Sequence, residues 1–368
     1  MPGGIKRRPR GIATAAAALW TAVFFFKRNL TQDSQPPHKW LKKLTVSCIV
    51  ERLQCVAFYI LRYVVRRTMD TIKELTVQEI LSENDLSKKA AKMQYQAQRM
   101  RLKTLDILHE KGTGHWGGAS SAAEVLTALY YHVMNIDPEN PKSSDRDRFV
   151  LSKGHASTIL YTVLAYRGYF PVEELSTFRQ LNSRLQGHPC MTETPGVDMS
   201  TGALGHGLSV ALGMALAAKV QKKNFWSYVM FGEGCLDEGQ TWEAMLASAK
   251  FKPERLVAMV DFNGIQLDGP SSEVMPLTPL EEKLKAFGWN PAPKIYDGHS
   301  IPDILDSFAW VKQQSTWPVA VIYRTHKGKG VSFMQDTHKW HGAPVGDSDY
   351  EKARPELLAT LKDLEAKL

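Results

Sequence analysis

Cysteine is scarce in this chain of 368 residues: there are four, Cys48, Cys55, Cys190 and Cys235, with no metal-ligand spacing between them. That excludes a disulfide-stapled scaffold and a cysteine-bound structural zinc, and a reducing compartment, the cytoplasm, is the expected setting. Long apolar runs are missing too. The stretch from Ile12 to Phe26 is short for a membrane span, which takes about 20 residues. It also lacks a convincing small-residue cleavage site. Acidic residues are nearly absent from residues 1–68, which hold 13 Lys/Arg against 2 Asp/Glu. The rest of the chain carries 33 basic and 36 acidic residues, so the formal net charge of +8 belongs to the N-terminal extension. Nucleic-acid binding by the body of the chain is therefore not expected.

Residues 1–68 stand apart from 69–368. A second apolar region, "LTVSCIVERLQCVAFYILRYVVRR", is broken by Glu51, Arg52, Gln54 and Arg62, a pattern for an interface rather than a span. Two readings stay open. The extension is an anchor or transit peptide, the only route to a membrane, or it has no role in the fold and precedes a start at Met69. "MDTIKELTVQEI" begins ordinary amphipathic sequence and favours the second.

From Asp85 to Glu110, apolar residues recur at three- and four-residue spacing, which predicts a helix. In "GASSAAEV", Ser120, Ser121 and Glu124 have the order of a capping box opening another helix. "DRFVL", "SYVMF", "RLVAMVDF" and "PVAVIYRTH" predict strands. "STGALGHGLSVALGMALAAKV", "TWEAMLASAKF" and "PLEEKLKAFG" predict helices between them. The alternation implies an α/β fold: a doubly wound, mostly parallel sheet with helices on both faces. Ligands of such sheets lie at the carboxyl ends of the strands. No internal repeat is present.

Histidine and glycine recur together. His115, His155, His188, His206, His299 and His341 each adjoin a glycine. Glycine allows a bulky ligand to approach and histidine titrates near neutrality, so the group suggests proton transfer around a polar, anionic ligand. "FGEGCLDEGQTWEA" follows a predicted strand and sets Glu233 between Gly232 and Gly234. A dinucleotide fingerprint would need a third glycine where Asp237 stands, and the Gly-Lys-Ser/Thr of a P-loop is absent. A diphosphate held through a divalent cation explains the acid, and it demands another oxygen ligand at the end of the next strand. Asn263, in "VDFNGIQLDG", is there.

The Gly-acid-Gly…Asn pattern, with "LSKGHAS", "GHP", "TGALGHG", "EGQTWEA", "DFNGIQLDG" and "WHGAPVG", resembles the N-terminal half of a transketolase, from about residue 85 to 350. The nearest pattern is the split type, in which this half is a chain of its own. The resemblance implies thiamine diphosphate and a divalent metal, ordinarily Mg²⁺, in a thiamine diphosphate-binding fold. Glu233, Asn263 and the Ile265 carbonyl would hold the metal. Gly202, Leu204, Gly234, His155, Asn263, Ile265 and His341 would line the cofactor. His115, His155, His188 and His341 would carry the catalytic contacts to a sugar phosphate. Glu238 and Glu243 match glutamates of a subunit interface, or else are a helix cap and a surface charge. A partner subunit would bring the pyrimidine-binding domain and the activating glutamate, in an α2β2 heterotetramer, so the chain alone would be inactive.

The family usually has Asp where Glu233 stands. The longer acid leaves the metal preference open to Mn²⁺ or Ca²⁺, because magnesium demands near-ideal geometry. Ala203 and His206 also depart from residues common in the family. Alternatives are a 1-deoxyxylulose-phosphate synthase-like or E1-like enzyme, and a non-catalytic homologue that kept the fold. "GHP" and "WHGAPVG" argue against the first two.

Overall fold

Strands form where β-branched and aromatic residues run unbroken, because a strand covered on both faces has no polar side. The computed structural model describes residues 72–368, and the expectations for residues 1–68 lie outside the described residues. Among the described residues six strands make one parallel sheet: β1 (Arg148–Leu151), β2 (Ser227–Gly232), β3 (Leu256–Phe262), β4 (Asn290–Pro291), β5 (Tyr296–Asp297) and β6 (Val319–Arg324). The order is β1-β2-β3-β6, and both short strands β4 and β5 pair with β6. The register sets Gly232 beside Asp261 and Asp261 beside Tyr323, so the loops after β2, β3 and β6 leave the sheet at one edge.

Parallel pairing requires crossovers, and helices supply them. Ahead of β1 come α1 (Leu86–Lys111), α2 (Trp116–Ser121) and α3 (Ala123–Ala128). Between β1 and β2 lie α4 (Ser157–Arg167) and α5 (His206–Val220). Then follow α6 (Gly239–Phe251), α7 (Leu280–Ala286), α8 (Ile301–Lys312) and, after β6, α9 (Asp347–Glu365). Helix α1 begins at Asp85, whose carboxylate accepts from the amides of Ser87 and Lys88, and ends at left-handed Gly112. Both ends are the expected ones.

Alternate residues of each strand face opposite sides. Val150, Val229, Phe231, Ala258, Val260 and Ile322 pack with Leu208, Ala211, Met245 and Leu284 of α5, α6 and α7. On the other face Tyr228 meets Phe308 of α8, and the Tyr323 hydroxyl bonds Ser307. The sheet is thus covered on both sides, as the sequence pattern implied.

The capping box at Ser120–Glu124 does not form. Ser120 and Ser121 end α2, and Ala122 occupies the N-cap of α3 without a side-chain bond. Glu124 is instead buried against Arg101, and the Ser121 hydroxyl donates to Asp261 at 2.6 Å. These residues meet partners far along the chain, which outweigh the local bonds of a cap.

Candidate active site

Four strand ends converge. After β1 comes Ser152-Lys153-Gly154-His155, after β2 Glu233-Gly234, after β3 Asn263-Gly264-Ile265, and after β6 Thr325-His326-Lys327. A buried ion pair ties the first to the third. The Lys153 ammonium bonds the Asp261 carboxylate and the Gly118 carbonyl, the latter at 2.7 Å. Asp261 also accepts from the hydroxyls of Ser121 and Thr325. Burial alone would raise the Asp261 carboxyl, but the Lys153 charge and these bonds outweigh it and hold it below its ordinary value.

Glu233 is 2% exposed. Its Oε2 accepts from the amides of Asn263 at 2.9 Å and Gly264 at 2.6 Å, so the acid closes onto the loop after β3. Its Oε1 is buried without a hydrogen-bond partner among the described residues. Burial pushes this carboxyl up; the Gly264 amide, the nearby Ser271 hydroxyl and the Asn263 amide pull it back. The Asn263 side-chain oxygen accepts from the Ile265 amide at 3.1 Å. The Ile265 carbonyl, expected as a metal ligand, accepts from the Lys327 ammonium at 3.0 Å. A carbonyl oxygen has two lone pairs, so one remains for a cation. Glu233, Asn263 and Ile265 therefore share one hydrogen-bonded loop, and among the described residues the unpaired buried Oε1 fits a cation ligand. The Thr201 hydroxyl and His115 Nδ1 are also buried without partners among the described residues. Together they fit a polar ligand bearing a divalent ion.

His115, His155 and His341 come together. Their ring centres are 5.2 Å apart for His115–His155, 5.6 Å for His115–His341 and 4.8 Å for His155–His341. Burial drives all three down: His115 to about 4, His341 to about 3 and His155 well below its ordinary value. Nearby Arg179, His188 and Lys327 add to the shift at His115. All three are neutral at pH 7 and act through hydrogen bonds. The Lys327 ammonium has three donors, and they reach the Ile265 and Gln266 carbonyls, each at 3.0 Å, and His341 Nδ1 at 2.7 Å. Since Nδ1 accepts, the proton of neutral His341 sits on Nε2. Burial brings Lys327 down to about 8, which leaves it mostly protonated at neutral pH.

Glycines surround these rings for a reason the sequence concealed. A Cβ on Gly118 would stand 3.4 Å from His155 Nε2, one on Gly342 3.1 Å from the His115 ring, and one on Gly202 3.4 Å from the His188 ring. At Gly154 and Gly187 it would strike Thr201 and Arg179. The room that glycine provides is filled by the chain's own side chains rather than left for a ligand.

His188 is exposed and sits against Gly202; partial desolvation lowers it, and the nearby Arg179 charge adds to the shift. Gly234 faces Leu204, whose Cδ1 would lie 3.7 Å from a Cβ there. His206 is exposed at the first turn of α5. Glu238 and Glu243 are both exposed, and Glu238, at the N-cap of α6, makes no side-chain cap bond. His299 lies apart from the trio, bonded to Glu124. Sequence reasoning passed over Lys153, Arg179, Asp261 and Lys327. Lys153 stood inside the quoted "LSKGHAS" and Asp261 inside "DFNGIQLDG", whereas Lys327 carries no pattern until the strands are aligned.

Residues 92–360 match the family described as transketolase, thiamine diphosphate binding domain. A Clostridium sp. protein named 6-deoxy-6-sulfo-D-fructose transketolase subunit SqwG is 40% identical over 272 residues, covering 74% of this chain and 98% of that protein. A subunit of the apulose-4-phosphate transketolase of Phocaeicola vulgatus is 39% identical over 274 residues, covering 74% and 96%. Human transketolase is 35% identical over 267 residues, covering 72% of this chain and 42% of that one. The crystal structure of Campylobacter jejuni transketolase superposes with a TM-score of 0.67 at 30% identity, covering 75% and 47%. The fold and the family match define a thiamine diphosphate-binding domain of a transferase. The chain belongs to the transketolase family and spans a little under half of the single-chain transketolases it matches.

Proposed function

We propose that this chain is the diphosphate-binding subunit of a two-chain transketolase, which moves a two-carbon ketol unit from a ketose phosphate to an aldose phosphate. It works with a partner subunit bearing the pyrimidine-binding domain and the activating glutamate, in an α2β2 assembly. The observation that carries the reading is the junction of the neutral His115/His155/His341 trio with the Glu233–Asn263–Ile265 cradle at one sheet edge. Near-complete coverage of two proteins named as transketolase subunits supports the division into two chains. Their names contain sugars with a terminal sulfo or phosphate group, which supports an anionic sugar as substrate.

Bound thiamine diphosphate supplies a carbon nucleophile and a sink for the electron pair released when the ketose C2–C3 bond breaks. Glu233 Oε1, the Asn263 side chain and the Ile265 carbonyl hold Mg²⁺, with Mn²⁺ or Ca²⁺ as substitutes. Gly202, Leu204, Gly234 and His155 line the diphosphate. Lys327 sets the tautomer of His341, which donates from Nε2 to a substrate oxygen. His115, with Nδ1 unpartnered and kept neutral by burial, accepts a hydrogen bond from a substrate hydroxyl. His188 meets the sugar at the mouth. The domain is residues 69–368, and the assembly works in the cytoplasm.

The test is reconstitution. The full chain with thiamine diphosphate and Mg²⁺ is assayed for ketol transfer alone and with its partner. No transfer alone and transfer with the partner is the expected result. Transfer by the chain alone would overturn the two-chain reading, and pyruvate consumption would replace the reaction with a decarboxylating one.

A further inference from the structure

Behind the site lies a buried polar chain that none of the steps above uses. Arg101 of α1 and Glu124 of α3 are each 1% exposed and form an ion pair. The Arg101 guanidinium also donates to the Ser120 carbonyl at 3.0 and 3.2 Å and to Gln98 at 2.7 Å, so its place is set from three sides. Glu124 Oε2 accepts a second bond, from His299 Nδ1 at 3.0 Å. His299 Nε2 then accepts from the backbone N–H of His326 at 2.8 Å. Burial raises the Glu124 carboxyl, but the Arg101 charge and the His299 bond outweigh it and hold it down to about 2. Ionised, Glu124 only accepts, so the His299 proton must be on Nδ1. A backbone N–H only donates, so Nε2 must be bare. One tautomer of one residue satisfies both neighbours.

The residue after His326 is Lys327. Its stem passes over Gly117, where a Cβ would stand 2.9 Å from Lys327 Cγ, and the Gly328 amide donates to the Gly117 carbonyl at 3.0 Å. The stem is confined by α2 and the peptide before it by His299, so the ammonium has one place to go: between the Ile265 and Gln266 carbonyls and His341 Nδ1.

We propose that Glu124 and His299 are positioning residues for Lys327: they fix the peptide at His326 and, through the ammonium, the proton-bearing nitrogen of His341. The proposal rests on the site reading above, because it gives His341 its role. It acts as a second layer that sets the orientation of a histidine facing substrate, as carboxylates do behind metal-bound histidines. Neither residue touches the site, so neither is catalytic.

Two readouts on the full chain, taken without cofactor, test it. Hydrogen exchange at the His326 amide should be at least about ten-fold faster in His299→Ala, with β1–β3 unchanged. The ¹⁵N shifts of the His341 ring should move from an Nε2–H pattern toward an averaged one. His299→Gln keeps one donor and one acceptor and should restore both. Glu124→Gln keeps its volume but offers Arg101 or His299 a donor, and should reproduce the His299→Ala changes if the alanine variant fails to fold. Lys327→Met should shift the His341 tautomer and leave exchange at His326 alone, which gives the direction of the coupling. Unchanged exchange and unchanged His341 shifts in His299→Ala, or in Glu124→Gln, would overturn the proposal. Neither readout needs ketol transfer, so a failure here is distinct from a failure of the proposed function.

Discussion

Glu233 carries two tasks with its two oxygens. Oε2 closes the loop after β3 by accepting two amides, and Oε1 stays free. An aspartate, one methylene shorter, cannot keep both amide bonds and present the other oxygen at the same place. Glu233→Asp should therefore lower stability without metal by about 1–2 kcal/mol, the size of a charge-assisted bond lost. It should also weaken Mg²⁺ binding; denaturant unfolding with and without Mg²⁺ measures both. Stronger metal binding in the variant would mean that the longer acid is a compromise. Lys327 presents a second case. It needs all three protons, and it holds them below about pH 8. Activity of the reconstituted enzyme should fall as pH rises through about 8. In Lys327→Met that limb should vanish, with the rate already down roughly ten- to a hundred-fold because His341 loses its fixed tautomer.

At the scale of elements, helix α5 docks on the sheet through a contact that only glycine allows. A Cβ on Gly207 would lie 2.4 Å from Ser152 Cβ and 2.8 Å from its Cα, which is backbone and cannot step aside. Gly207→Ala should destabilise the fold by about 1–3 kcal/mol, the usual cost of overpacking, or push α5 outward. Because the loop before α5 carries Gly202 and Leu204, thiamine diphosphate affinity should fall with it; urea unfolding and calorimetry separate the two effects. The strands and most of the helices were legible from apolar runs and periodicity, which are local properties. The capping box was misread for the converse reason: Ser121 and Glu124 have the right spacing for a local bond, but Asp261 and Arg101 reach them first.

For the whole molecule, the neutral histidines predict how it responds to acid. His115 and His341 hold protons in the folded state only below about 4 and about 3, whereas an unfolded chain binds them near 6.5. The unfolded state therefore takes up more protons between these values, and stability present above about pH 6.5 should drain away as pH falls toward about 3. Glu124 and Asp261, both held down, lean the same way, while Glu233, pushed up, opposes them. A thermal-unfolding series from pH 7.5 to 4 checks the sign: a flat or rising midpoint on acidification would contradict it. No helix among the described residues is long and apolar enough to cross a membrane.

The sequence by itself determined the parallel sheet and the family, because strand patterning and motif spacing are written along the chain. It also named His115, His155 and His341, but their short glycine motifs did not separate them from His188, His206 and His299. Only the tertiary structure decided how they are held. The Lys153–Asp261 pair, the Lys327–His341 bond and the Glu124–His299 chain join residues 108, 14 and 175 positions apart. Such pairings come from strand order and helix docking, and no spacing along the sequence records them.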